Sequence, residues 1–201
     1  LQPEDVTDPA FAEAVAEVAP DVIAVVAYKI LPPEVFTAAR KGAFNLHGSL
    51  LPKYRGAAPI NHAIMAGDPE TGVTTFFLEP SVDTGDIILQ ARMSIGPNET
   101  AGSVHDRMAE LGGDAVVETV RQLDEGTVET RPQDDEKATP APKIHDADCE
   151  TPWEASAQEV HNHVRGLAPY PGAWTQHGDT RLKLYRTRRA EGTGAPGEVL
   201  E

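Results

Sequence analysis

Residues 21–28 read DVIAVVAY, and this short run of small and β-branched apolar residues narrows the possible folds more than any other feature of the chain. The pattern predicts a strand buried on both faces of a parallel sheet. Ahead of it, Phe11, Ala14, Val15 and Val18 recur at helical spacing, and Pro20 closes the segment. Behind it, Pro32 and Pro33 open a short helix through residue 39, and Gly42 ends that helix before a second apolar strand at 43–46. Strand, helix and strand in this order make a βαβ unit, the signature of an α/β fold with a parallel-rich, Rossmann-like sheet flanked by helices.

The rest of the chain extends that plan. A polar loop with proline and glycine at 47–58 leads into a helix at 59–66, which Gly67 terminates. Two more strands are expected at 73–78 and 87–93, joined by the turn 79–85. A long helix from residue 100 to about 123 carries Val104, Met108, Leu111, Ala115, Val116 and Val120 on one side, interrupted by Gly112 and Gly113, so it should cover one sheet face. Residues 131–150 keep no period and read as irregular; 153–164 is helical again, 168–174 is too rich in proline for either element, and short strands follow at Trp174 and at 182–185. The composition of 190–196 is that of a flexible linker. The division expected is one domain over 1–152 and, from 153 to 201, a linker helix with the beginning of a second domain. A start at Leu1 and a stop just after Val199 and Leu200 suggest a fragment at both ends.

With 40% apolar and 24% charged residues in 201, the composition is that of a globular protein. No apolar stretch approaches the ~20 residues of a membrane span, and no membrane association is expected. No secretory leader is visible, and Cys149 has no second cysteine to pair with, so a reducing cytoplasm is the expected setting. The formal charge of −15 argues against a surface that grips phosphate backbones everywhere. Against that trend, Arg181, Lys183, Arg186, Arg188 and Arg189 place five cations and no acid within nine residues, either a solvated strand face or a local nucleic-acid contact.

The chemistry concentrates in two stretches. In FNLHGSLLPKYRGAAP, residues 44–59, Asn45 and His47 are two apart at a strand end, so their side chains share a side. In VDTGDII, residues 82–88, Asp83 lies 36 residues beyond His47, at a turn that neighbouring strands can return to the same edge. Taken alone, Asn45 and His47 would be a surface hydrogen-bonding pair, and Asp83 an Asx-turn residue before Gly85.

Together, NLHGSLLPKYRGAAPI and VDTGDIILQ resemble the two signature stretches of the folate-dependent formyltransferases, and the YRGAAP continuation is similar to the methionyl-tRNA branch of that family. AYKILP at 27–32, ETGVT at 70–74, APKI at 141–144 and RGLAPYPGAW at 165–174 extend the likeness over nearly the whole chain. Lys29 departs from it, standing where the family usually has glycine. The resemblance implies catalysis by Asn45, His47 and Asp83, with Ser49, Leu50, Leu51 and Pro52 lining the tetrahydrofolate site. It also implies 10-formyltetrahydrofolate as donor, methionyl initiator tRNA as acceptor, a C-terminal β-barrel of which only the beginning is present, no metal, and a monomer. Lys53 and Arg55 would face the tRNA end.

These residue types suit formyl transfer. Attack by an amine on a formyl carbonyl builds negative charge on oxygen, which Asn45 and a hydrogen-bond-donating His47 would stabilise. Asp83 would orient His47 and help remove the amine proton, directly or through water. Other acceptors on the same fold, glycinamide ribonucleotide or an amino sugar nucleotide, remain open. So do a hydrolase that releases formate and a nonenzymatic folate- or RNA-binding module. His161 and His163, two apart in a helix, point roughly 200° apart and cannot chelate one metal. The G-x-G-x-x-G match at 192–197 contains proline and precedes no helical pattern, so it reads as linker.

Overall fold

The computed structural model describes residues 2–199. Four strands, β1 (Ile23–Val26), β2 (Ala43–His47), β3 (Glu70–Phe77) and β4 (Ile87–Ser94), form one sheet in the order β1-β2-β3-β4. The βαβ reading holds at its start: β1 and β2 are parallel, with Ile23 opposite Ala43 and Val26 opposite Leu46, linked through the short helix α2 (Pro33–Phe36). Beyond β2 the pairs β2–β3 and β3–β4 are both antiparallel, the latter across the expected turn, so the described sheet is mixed, within the expected α/β fold. The connections explain this: helix α3 (Pro59–Met65) is too short to carry the chain back along the sheet, and β3 and β4 are joined by a turn rather than a crossover helix.

Among the described residues β1 and β4 stand at the two edges of this sheet, and Val26 on β1 is 51% exposed. Helix α1 (Pro9–Val18), capped by Asp8, lies beside β1 and leaves an apolar groove of about 520 Å³ lined by Phe11, Val15, Ile23 and Val35.

The long helix α4 (Ala101–Glu125) starts where expected, because the Thr100 side chain accepts from the Ser103 N–H. Such a cap contributes about 1 kcal/mol. Val104, Met108, Ala115 and Leu123 are buried, whereas Val120 is 37% exposed and Thr119 takes the inward position, its hydroxyl 2.8 Å from that of Thr75. Gly112 proves to be a packing position: a β-carbon there would stand 2.8 Å from Leu46 on β2, so glycine lets helix and sheet approach. Phe44, fully buried, packs with Ile88 and Leu123.

Helix α5 (Ala157–Leu167) begins later than predicted, at a Ser156–Glu159 capping box, and packs on α3 through Gly166, whose backbone lies against Met65. The hairpin of β5 (Ala173–His177) and β6 (Thr180–Leu184) follows. Among the described residues no helix is long and apolar enough to cross a membrane.

Candidate active site

Alternation along β2 sends Phe44 and Leu46 toward α4, and Asn45 and His47 to the opposite face. There Asn45 lies in register with Val25 and Phe76, at the floor of a cavity of about 800 Å³. His47, Asp83, Tyr28, Pro80, His105 and Met108 also line this cavity, whose volume is in the range typical of small-molecule sites, roughly 300–1,000 Å³.

His47 closes β2 and is 6% exposed. Its Nε2 is 2.7 Å from the carbonyl oxygen of Tyr54. A carbonyl only accepts, so Nε2 carries a hydrogen and Nδ1 is the nitrogen turned toward Asp83, whose Oδ2 is 3.7 Å away. The orientation of the imidazole is therefore set by the loop carbonyl as well as by the acid. Tyr54 itself adopts φ 62° and donates its N–H to Thr139 Oγ1 at 2.9 Å. Burial, reinforced by a 2.9 Å hydrogen bond to Asp68, pushes its phenol above the ordinary tyrosine range.

Asp83 sits in the turn between β3 and β4 at φ 57°, a left-handed conformation uncommon for a residue with a side chain. It is 9% exposed, and Oδ2 accepts the Gly56 N–H at 2.9 Å. Gln133 donates Nε2 hydrogens to the carbonyls of Asp83 and Gly85, both at 2.9 Å, while its Oε1 accepts from Arg55 Nε and Nη2 at 3.1 and 2.8 Å. Arg55 also pairs with Asp135 at 2.7 Å. The guanidinium is thus engaged inside the protein rather than held out for an acceptor, and Lys53 pairs with Asp68 at 3.5 Å.

The three expected catalytic residues therefore meet at one cavity. The four expected folate contacts, Ser49, Leu50, Leu51 and Pro52, do not line it. Ser49 is fully buried and donates to the Lys53 carbonyl at 2.6 Å, and Leu51 N–H donates to Thr74 Oγ1 at 3.1 Å. Thr74 in turn donates to the Ser49 carbonyl at 2.7 Å, so the loop is fastened to β3. Gln133 and Thr139 fall in the segment read as irregular, where no periodicity marks them. In the structure this segment runs beside the site: Arg131 and Ile87 exchange backbone hydrogen bonds at 3.0 and 2.9 Å, and Arg55 bonds Thr139 and Ala141 at 2.9 and 2.7 Å.

Among the described residues no cluster of three or more His, Cys, Asp or Glu side chains could hold a metal ion. On α5, His161 is bound through both ring nitrogens, to Thr187 Oγ1 at 2.8 Å and the Pro97 carbonyl at 3.1 Å. His163 is buried elsewhere, and burial holds its imidazole below the ordinary histidine range. Burial likewise pushes the Cys149 thiol up, as suits an inert core position.

The mixed sheet brings Asn45 and His47 of β2 and Asp83 of the β3–β4 turn to one cavity, and the formyl transferase family matches residues 1–120, with the family's C-terminal domain matching 143–201. The chain belongs to that family. Over its full length it is 50% identical to the methionyl-tRNA formyltransferase of Chlorobium phaeovibrioides, and over 92% of its length it is 53% identical to that of Chlorobium chlorochromatii. It spans 64% and 59% of the lengths of those two relatives. Among solved structures it shares its fold with HypX from Aquifex aeolicus, at 24% identity and a TM-score of 0.78 over 98% of this chain and 36% of that one. An N-formyltransferase from Helicobacter canadensis, solved with folinic acid and dTDP-3-aminofucose, is 26% identical with a TM-score of 0.58, covering 61% of this chain and 46% of that one.

Proposed function

We propose that the protein of which this chain is a part transfers the formyl group of 10-formyltetrahydrofolate to the amino group of methionyl initiator tRNA, for translation initiation in the cytoplasm. The observation that carries the reading is the pair His47 and Asp83, 3.7 Å apart and buried at the wall of a cavity that Asn45 also lines, within a chain half identical to enzymes of that name. The cavity is large enough for the reacting end of a folate, and its mainly apolar walls with a few polar groups suit a flat ring system. Bound there, the donor supplies an activated formyl carbonyl.

Each residue then has a task set by its geometry. Asn45 donates an amide hydrogen to the carbonyl oxygen that gains charge as the amine adds, and removal of such a donor typically costs about 10²- to 10³-fold in rate. His47 is held by Tyr54 through Nε2, so Nδ1 is the atom facing the reaction. Asp83 Oδ2, opposite Nδ1, takes the proton released by the amine, directly or through water, and a proton passes to the departing folate nitrogen as its bond to the formyl carbon breaks. No step calls for a metal. Ser49, Leu50, Leu51 and Pro52 are assigned to the tetrahydrofolate site, on a loop that Thr74 fastens to β3. Exposed Arg186, Arg188 and Arg189 are suited to tRNA phosphates, whereas Arg181 is engaged with Asp146 at 2.6 Å and lies over Trp174. The catalytic unit is assigned to 1–152; the remainder holds a linker helix and the beginning of a β-barrel domain, and a monomer serves this chemistry.

Formyl transfer by the full-length protein, assayed with charged and uncharged initiator tRNA beside His47→Ala, tests the reading. Formylmethionine should form only with charged tRNA and fall by at least about 10²-fold in the variant. Formate release independent of tRNA would reassign the site to a hydrolase.

A further inference from the structure

We infer that Gln133 is a positioning residue for the His47–Asp83 pair and that residues 131–142 form a strap completing the site; the inference rests on the transferase reading above. The turn carrying Asp83 is not part of the sheet, and its left-handed backbone must be held from outside. Three consecutive residues of the opposite loop provide that hold. The Tyr54 carbonyl receives His47, Arg55 grips Gln133 with two N–H groups, and Gly56 donates to Asp83. Because Arg55 has only donors, it fixes the Gln133 amide with its oxygen toward the guanidinium and its nitrogen toward the turn. That nitrogen spends both hydrogens on the carbonyls of Asp83 and Gly85. Gln133 is thus the piece that locks the spacing between the histidine loop and the acid turn.

The strap lies in the interval between the two family matches, which end at 120 and resume at 143. It stays attached without Gln133, through Arg131 with Ile87 and through Thr139 and Ala141 with Arg55. Loss of the side chain should therefore disturb catalysis far more than stability. A misplacement on the scale of 1 Å can cost about 10²-fold.

The test compares Gln133→Ala and Gln133→Glu with wild type in the full-length protein, by transfer kinetics, thermal unfolding and amide hydrogen exchange at Gly56. Gln133→Glu keeps the shape and an acceptor for Arg55 but has no hydrogens for the turn. Both variants should lose about 10- to 100-fold in kcat. KM for both substrates and the unfolding midpoint should stay near wild type, and the Gly56 amide should exchange faster as Asp83 loosens. A wild-type kcat with unchanged Gly56 exchange in Gln133→Glu overturns the inference, as does a loss of rate that only tracks unfolding. The exchange measurement needs no substrate, so a wild type that fails to formylate methionyl-tRNA while Gln133→Ala still loosens Gly56 would sink the substrate reading and leave the positioning role standing.

Discussion

His47 and Asp83 face each other across 3.7 Å but are held in opposite ways. His47 ends a strand paired on both sides, with Leu46 opposite Val26 on one neighbour and Thr75 on the other, and the strand is backed by Phe44 against α4. Asp83 belongs to a turn with no strand neighbours at its own position, kept at φ 57° by a backbone N–H of Gly56 and by the amide of Gln133. Regular structure fixes one half of the pair; a few hydrogen bonds between distant segments fix the other. The two halves should therefore fail differently, the first together with the fold and the second without unfolding.

Phe44→Ala attacks the sheet half. Emptying this fully buried position should cost about 3–5 kcal/mol of stability in denaturant unfolding, while the molecules that remain folded keep most of their specific activity. A large loss of specific activity at intact stability would break the comparison. Gly85→Ala attacks the turn half. A β-carbon there would stand 1.8 Å from the Phe77 carbonyl oxygen, so the turn must shift while the strands remain paired. Transfer should drop about 10²-fold, with far-ultraviolet circular dichroism unchanged. The smallest effect is expected at His163, outside both halves. Its folded pKa lies below that of the unfolded chain, near 6.5, so on acidification the unfolded state takes up the proton first. Stability should be level above about pH 6.5 and decline as pH falls toward the folded value, and His163→Gln should flatten that decline; an unchanged profile would remove His163 as its source.

The same contrast explains what was legible in the sequence. Asn45, His47 and Asp83 were singled out because the strings around them resemble the signature stretches of the formyltransferases; spacing alone, period two on β2 and a glycine-bearing turn before β4, left them a surface pair and an Asx-turn residue. The long helix was readable from Val104, Met108 and Ala115, and Thr100 marked its start. Gln133 was not readable, because its role depends on Arg55, 78 residues away, and on two carbonyls that are absent from any side-chain pattern. Arg55 was misleading for the same reason: an arginine beside a catalytic loop suggests a ligand contact until its internal partners are seen.

The strap also orders events in time. Asp83 precedes Gln133 by 50 residues, which at synthesis rates of about 5–20 residues per second is roughly 3–10 seconds. A nascent chain thus exposes the histidine and the acid before the segment that aligns them has been made. On the positioning role inferred for Gln133, the pair reaches its full alignment only after that residue has been made and has bonded both loops.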